Sequence, residues 1–321
     1  MLISIPRDQS DAILGSMRAV AFTHGANGVS DPDRVTIEAA AQIVFGIETP
    51  DIDSIDLRSP EQLAAALESD REMAVRMLAV MSLVDGRLDA EKNSLVDQYA
   101  KALGVDEGYL AILTEAAEGE VAQAAACLVR KNADSFPLLD PTGIEDNPVA
   151  PFFPYGDGNE DTALEDRYKA LGALPEGTFG KAFFDHFEKN GFFFPGNPNG
   201  MAEGFTTPHD SSHVLSGYST SELGELCVST FIGAMHPEHP MAAEVLPVLF
   251  SWHLGIKLND IAYSNTGKFE PRHFWTAWDR GSKTTTDVVA ADWDFWAATG
   301  VPLDELRREY AVPPAEPEML A

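Results

Sequence analysis

Two histidines four residues apart, His209 and His213, enclose Asp210, Ser211 and Ser212 in the run HDSSH. On an α-helix, residues i and i+4 lie one above the other on a single face. Two imidazoles so placed can grip one cation, as the pair in HExxH does. Here the acid follows the first histidine directly, so Asp210 points about 100° round the helix from it. That leaves it a ligand reaching in from the side, a neighbour of the ligands, or a base. Eleven residues separate His213 from Glu225. Among them, Ser216-Gly217-Tyr218-Ser219 predicts a helix break, and Thr220 or Ser221 can cap a second helix. The break lets the chain return and brings Glu225 toward the histidines. Two histidines with two carboxylates suit Zn, and also Fe(II), Mn or Mg.

Other histidines have less around them. His236 and His239 flank prolines in a turn, which reads as a surface loop or, with Glu238, as a second metal patch. His253 and His273 have no motif about them and read as structural. Cys227, two residues beyond Glu225, falls on the far side of the helical turn and is not counted as a ligand.

The elements that must position these residues are helical throughout. Arg71 to Leu83 sets Met73, Met77, Val80 and Met81 on one face. Gly86 can end that helix in the left-handed conformation, and Asp89 can cap the next, with Glu91 in its first turn. Leu95, Tyr99 and Leu103 follow at spacings of four, and Gly104 closes the helix. A weak echo, helix then glycine turn then capped helix, runs from Ala21 through Gly25, Gly28 and Ser30. Residues 136–160 hold five prolines and three glycines without a helical period, and mark a connection. Lys181 to Asn190 is aromatic on one side and charged on the other. Residues 191–204 read as a glycine- and proline-rich loop, and Pro208 as the start of the HDSSH helix. Apolar helices follow at Glu222–Met235 and Met241–Leu258. Trp275 and Trp278, like Trp293 and Trp296, are three apart and share a helical face. No alternating Val/Ile-rich strand occurs. The fold class expected is all-α: an N-terminal helical bundle over 1–135, a Pro/Gly-rich linker over 136–163, and an all-helical metal-binding domain with an apolar channel over 164–321.

Composition narrows the partners. Of 321 residues, 51 are acidic and 22 basic, a net charge of -29. Nucleic-acid phosphate requires Lys and Arg clusters, so no nucleic-acid partner is expected. Anionic lipid headgroups are repelled as well. Two distant cysteines, Cys127 and Cys227, form neither a CxxC pair nor a disulfide framework and fit a reducing compartment. The opening MLISIPRDQSDAILG lacks a basic region followed by an apolar one, so no signal peptide is expected. The apolar stretch from Leu226 to Leu258 is cut at residues 236–240, short of the ~20 residues that span a bilayer. A cytoplasmic location is expected, with peripheral contact at the inner membrane face.

Two resemblances add to this. Ala79–Val105, with its helix–DG–x–acid–helix pattern, carries a resemblance to the TerB-like helical domain that extends over about 35 residues around it. That likeness makes Asp85, Asp89 and Glu91 weak cation ligands, or helix caps and solvated charge. More specifically, HDSSHVLSGYSTSELGE resembles the HDxxH-x11-E motif of the fourth coenzyme Q biosynthesis protein family. Leu174–Gly180 (LPEGTFG) looks like that family's LPxxTxG segment. Phe274-Trp275 with Trp278, Asp292-Trp293, and Leu306-Arg307 with Arg308 and Pro313 look like its C-terminal end. The likeness covers roughly residues 165 to 315. An extra N-terminal domain, the long 191–204 insert and the strong acidity depart from it.

The resemblance implies an all-helical domain holding a divalent metal, usually zinc, and a channel for a polyprenyl tail. It implies His209, Asp210, His213 and Glu225 as the metal positions. It also implies work on the head group of a polyprenyl-hydroxybenzoate: removal of the C1 carboxylate, coupled to hydroxylation in some descriptions. Coupled hydroxylation favours iron, because Zn has no redox chemistry. The partners implied are a prenylated aromatic lipid or isoprenoid, other quinone-biosynthesis proteins, transient membrane contact and a second copy of the chain in a homo-oligomer. Met235, Leu249, Phe250 and Trp252 are candidates for the tail site, or plain core. The rival readings are a non-catalytic lipid-binding scaffold with a structural metal, and an HD-type phosphohydrolase needing further ligands such as Asp260 and Asp287.

Overall fold

Capping residues decide where the helices begin. The computed structural model describes residues 6–25, 29–144, 146–259 and 263–315. Gly28 of the first glycine turn, Asp260, and the first five residues of the segment read for a leader lie outside the described residues. Fifteen α-helices make up the described chain. In order they are α1 Arg7–Ala21, α2 Asp31–Ile43, α3 Pro60–Ala66, α4 Arg71–Met81, α5 Ala90–Leu103, α6 Tyr109–Ala117, α7 Val121–Ser135 and α8 Thr162–Lys169. Then come α9 Phe179–Asn190, α10 Glu203–Ser216, α11 Glu222–Met235, α12 Leu246–Trp252, α13 Pro271–Lys283, α14 Phe295–Ala298 and α15 Leu303–Glu309. A π-helical turn, Pro240–Val245, precedes α12. Among the described residues no strand forms, and β-type pairing is confined to the isolated bridges Thr178↔Pro302 and Leu254↔Thr266. The fold class is all-α. No described helix is long and apolar enough to cross a membrane.

The chain divides into two compact units. Unit 1 comprises residues 1–127, 249–256 and 264–279; unit 2 comprises 128–248, 257–263 and 280–321. Unit 1 thus takes two segments from the C-terminal half of the sequence.

In unit 1, Ser30 caps α2 in a capping box with Asp33, and Asp89 caps α5, accepting from the backbone N–H groups of Glu91 and Lys92. Gly86 (φ +76°) makes the left-handed turn between α4 and α5. The two turns are joined by a buried cation. Lys92 Nζ lies 2.9 Å from Asp85 and 3.3 Å from Asp33, with the Lys92 side chain 1% exposed and that of Asp33 0%. Leu14, Met17, Leu78 and Tyr99 fill the core, and Tyr99 donates its hydroxyl proton to the Arg58 carbonyl. Trp275 is buried here, its Nε1 donating to Thr36 O at 3.2 Å. His253 Nε2 meets Val84 O at 3.1 Å, a structural role.

The helix read over Met241–Leu258 is instead the π-helical turn Pro240–Val245 followed by α12, which ends at Trp252. In unit 2 two further elements differ from the sequence reading. The HDSSH helix begins at Glu203, so Pro208 sits inside α10 rather than at its start. Proline lacks the N–H that would bond Gly204 four residues back. Gly204 is also where α10 packs closely: a Cβ there would come within 2.2 Å of Leu138 O. Second, Trp293 precedes α14 while Trp296 lies on it, so this pair does not share a helical face.

Candidate metal centre

Two helices and the turn between them build the site. α10 carries His209 and His213 on one face. Gly217 (φ +83°) stops it, and Ser221 caps α11, its hydroxyl accepting from Gly224 N–H at 3.2 Å. Gly224 is required by the tightness of this return, since a Cβ there would sit 1.9 Å from Ser219 O. Glu225 follows in the first turn of α11, beside the positive end of the helix dipole.

The far end of α10 is tied down by cations. Arg280 donates to Ser216 O (2.8 Å), and Arg307 donates to Leu215 O (3.0 Å) and Val214 O (2.9 Å). These are C-terminal carbonyls with no partner inside the helix. Arg280 also donates to Pro313 O and lies over the Tyr218 ring, 4.8 Å from its centroid. Of the C-terminal residues singled out in the sequence, Arg307 holds the end of the helix that carries His213 and Pro313 accepts from Arg280, a residue the sequence reading did not single out. Thr178, from LPEGTFG, caps α9.

His209, His213 and Glu225 converge, with one ligand atom from each lying within 4.8 Å of the others. Among the described residues they are the one group of three or more His, Cys, Asp or Glu so placed. His213 Nδ1 lies 3.0 Å from Tyr218 O. A carbonyl only accepts, so Nδ1 carries a proton, and the neutral imidazole would present its Nε2 lone pair. That Nε2 is buried and has no hydrogen-bond partner, yet faces Glu225 Oε1 at 3.4 Å. His209 Nε2 faces Glu225 Oε2 at 3.7 Å. Both gaps exceed a normal N–H···O bond of about 2.9 Å. With metal bonds of about 2.0–2.1 Å, tetrahedral neighbours stand about 3.4 Å apart. An orphaned imidazole lone pair facing a carboxylate at that separation fits a divalent cation. The group could hold a metal ion.

Asp210 is not one of the three converging donors. Its Oδ1 accepts from His186 Nε2 at 2.8 Å, and its Oδ2 stands 3.8 Å from His209 Nδ1. It is a carboxylate behind a ligand, of the kind that orients metal-bound histidines. His186, on α9, stacks on His213 with ring centroids 5.3 Å apart. No spacing in the sequence pointed to it; its one mark was a histidine among the phenylalanines of KAFFDHFEKN.

Electrostatics follow this packing. Burial works against the charged form of Asp210, but the hydrogen bond from His186 and the nearby charges of His209 and His186 outweigh it and hold the carboxyl well below its usual range. Burial likewise opposes a charged His209, and Asp210 and Glu225 overcome it and raise the imidazole to about 9. Glu225 is lowered, against burial, by His213 and His209. The donors carry strong mutual attraction, and a cation would have to displace the proton from His209.

Glu244 was read only as part of an apolar helix. It is buried in the π-helical turn, and its charge acts on His209. Its signal was a lone acid within the apolar run PMAAEVLPVLF. His236 is no surface residue. It is buried, with Nδ1 2.7 Å from Asp287 and Nε2 3.0 Å from Ser135 O, while Glu238 and His239 are exposed. The turn closes inward because His236 has two acceptors to satisfy there.

The tail-site candidates are dispersed. Leu249, Phe250 and Trp252 are buried in unit 1, and Met235 is half-buried at the end of α11 in unit 2. Unit 2 has a cleft of about 880 Å³ that none of them lines. Pro208, Trp293, Phe295 and Trp296 wall it, with Glu203 and Asp292 adding charge. It meets α10 on the face of Glu203, Gly204 and Thr207, and Thr207 is about 200° round the helix from His209. In unit 1, Asp85 and Asp89 are occupied by Lys92 and by the first turn of α5, and Glu91 by His24 at 3.4 Å. Scanned against protein-family models, the chain matches none, and a search of curated proteins gives no match either.

Proposed function

We propose that the chain is a metal-dependent protein of ubiquinone or related prenyl-quinone biosynthesis, acting at C1 of a polyprenyl-hydroxybenzoate. The observation that carries this is the unpartnered Nε2 of His213 facing Glu225 within the HDxxH-x11-E pattern. His209, His213 and Glu225 hold the cation, with zinc first and iron, manganese or magnesium as alternatives. A bound divalent cation supplies Lewis acidity to a carboxylate or phenolate and, as iron, redox chemistry for a coupled hydroxylation.

The chain's own groups supply the rest. Tyr218 O fixes the His213 tautomer. Asp210, held by His186, keeps negative charge beside His209 and favours proton uptake there. Arg280 and Arg307 hold the end of α10, so the ligands move as one piece. Other quinone-biosynthesis proteins and a second copy of the chain are the partners that go with this reading.

The test is elemental analysis of the wild type beside a His209→Ala/His213→Ala variant, with lipid extraction of both and carboxyl-labelled prenyl-hydroxybenzoate as substrate. About one divalent ion per chain, absent from the variant, with labelled CO2 released by the wild type alone, is expected. Metal and co-purified prenyl lipid without CO2 release would favour the scaffold. No metal in either protein would end the reading.

A further inference from the structure

Three pieces of unit 2 wall the cleft of about 880 Å³: the connection between residues 138 and 155, residues 202–208 at the start of α10, and residues 288–296. That volume falls in the range of small-molecule sites, roughly 300–1,000 Å³. The walls are fastened from within the unit. Ala202 N–H donates to Phe152 O at 2.9 Å, and Glu203 N–H donates to the Tyr155 hydroxyl at 3.2 Å. On the third piece, Trp293 Nε1 donates to the Tyr310 hydroxyl at 3.1 Å, and Phe295 is buried.

The charge of the lining has one sign. Asp140, Glu203, Asp292 and Asp294 line the cleft, and no described lining residue is Lys, Arg or His. Two of these acids have local work. Asp140 accepts from Thr142 N–H at 3.0 Å and from its hydroxyl at 2.7 Å, and Asp294 caps α14 by accepting from Ala297 N–H at 3.1 Å. Glu203 is held in place by one oxygen. Tyr168, fully buried, donates its hydroxyl proton to Glu203 Oε1 at 2.9 Å. Thr207 Oγ1, 2.6 Å from that hydroxyl, is then the donor to it, because a hydroxyl has one proton to give. Glu203 Oε2 is left with no donor among the described residues. Glu203 also suits the first turn of α10 through the helix dipole. Asp292 has no such post: it is exposed and has neither a hydrogen bond nor an ion pair to its side chain among the described residues.

Aromatic rings complete the lining. Tyr155, Trp293 and Trp296 contribute ring faces, whose negative π-clouds attract cations. Trp296 already takes part in such a pairing: Arg167, itself outside the lining, sets its Cζ 3.6 Å from the ring centroid. A hydroxybenzoate head group carries a carboxylate, which four acids without a lining cation would repel. The cleft also meets α10 about 200° round the helix from His209.

We propose that this cleft is a second site, one that binds a small organic cation: an amine, quaternary ammonium or guanidinium compound with an apolar body. Its charge meets Glu203 and Asp292, and its body lies among Trp293, Phe295 and Trp296. Such binding needs neither the metal nor the reaction proposed above.

The experiment is titration of the full chain with benzyltrimethylammonium, followed by tryptophan fluorescence and calorimetry. Benzyl alcohol and benzoate, which share the ring and differ in charge, are titrated beside it. The expected result is saturable binding of about one cation per chain that weakens with added salt. Benzyl alcohol should bind at least ~10-fold more weakly, and benzoate not at all. A Glu203→Gln/Asp292→Asn variant should lose ~10-fold in affinity for the cation, the order of two partly exposed ion pairs. Glutamine can still accept from Tyr168 and Asp292 is exposed, so the variant should melt with the wild type. Stripping metal with a chelator, followed by dialysis, should leave cation binding unchanged. Absence of saturable binding would overturn the proposal, as would benzyl alcohol binding as tightly as the cation, or unchanged affinity in the variant. Loss of cation binding on chelation would move the ligand to the metal centre and overturn it as well.

Discussion

Two buried polar clusters, one in each unit, both set carboxylates against nitrogen groups and differ in whether hydrogen bonds within the chain answer those groups. In unit 1, Lys92 lies between Asp33 and Asp85, and Asp33 also accepts from Ser30 N–H and Oγ–H. The acids there are answered from within the chain. In unit 2, His213 Nε2 has no hydrogen-bond partner, and Glu225 stands 3.4 and 3.7 Å from the two imidazoles. A closed cluster is a structural device. A cluster of donors at ligand separation could hold a cation. The distinction lies in the geometry, since helix, glycine turn and capped helix with an acid in its first turn occur in both units.

The largest effect expected is loss of metal. Removing either imidazole in His209→Ala or His213→Ala leaves two donors, fewer than the three or four protein ligands that hold such ions. Bound metal in the purified protein should drop from about one ion per chain to background. The wild type, but not the variants, should melt lower after chelation, because a ligand that binds only the folded state stabilises it. Equal melting with and without chelator would make the two clusters alike and dissolve the comparison.

A change at Lys92 tests the other side. Lys92→Met removes the cation and leaves Asp33 buried without it. Breaking a buried pair from one side costs about 3–5 kcal/mol. The low end is expected, because Asp33 keeps its two bonds from Ser30. Urea unfolding should show this loss with metal content unchanged. A variant as stable as the wild type would mean that the Lys92 cluster contributes nothing to the fold.

Much of this was legible in the sequence, where local rules decide. The ends of α11, the caps at Asp89 and Ser221, and the left-handed turns at Gly86 and Gly217 follow from short-range chemistry. His209, His213 and Glu225 could be seen because helical spacing and one break bring them together. What stayed hidden depends on residues far apart in the chain. His186 reaches Asp210 from another helix, and Glu244 and His236 meet through Ser135, which is more than a hundred positions upstream of either. The start of α10 was misplaced because Pro208 outweighed the propensity of the residues before it. Leu249, Phe250 and Trp252 were assigned to a tail site on apolar character alone, which serves a core equally well.

Smaller effects probe what lies behind the ligands. Asp210→Asn keeps the shape but removes the charge beside His209 and the strong acceptor of His186. Changes of this kind lower metal affinity ~10–100-fold. His186→Ala should give a shift in the same direction, nearer tenfold, because it only frees Asp210. Competition with a chromophoric chelator measures both. An Asp210→Asn variant that loses metal as completely as His213→Ala would make Asp210 a direct ligand and add a fourth donor to the set.

The smallest effect is a pH slope carried by His236. Burial opposes its charge, but the Asp287 hydrogen bond and charge, with Glu244 and the Ser135 carbonyl, raise its pKa above the ordinary value. The folded state therefore holds a proton that the unfolded chain gives up near pH 6.5. Its contribution is fully present below that value and is lost as pH rises through the folded pKa. Glu244, raised to about 7, makes stability fall in a lower window, from the ordinary carboxyl range up to about pH 7. A His236→Gln variant removes only the upper slope. The gap in unfolding free energy between wild type and variant should narrow with rising pH, by no more than about 1.4 kcal/mol per pH unit, the limit for one proton. A gap that stays flat would mean that His236 is neutral and that its contact with Asp287 is an ordinary hydrogen bond.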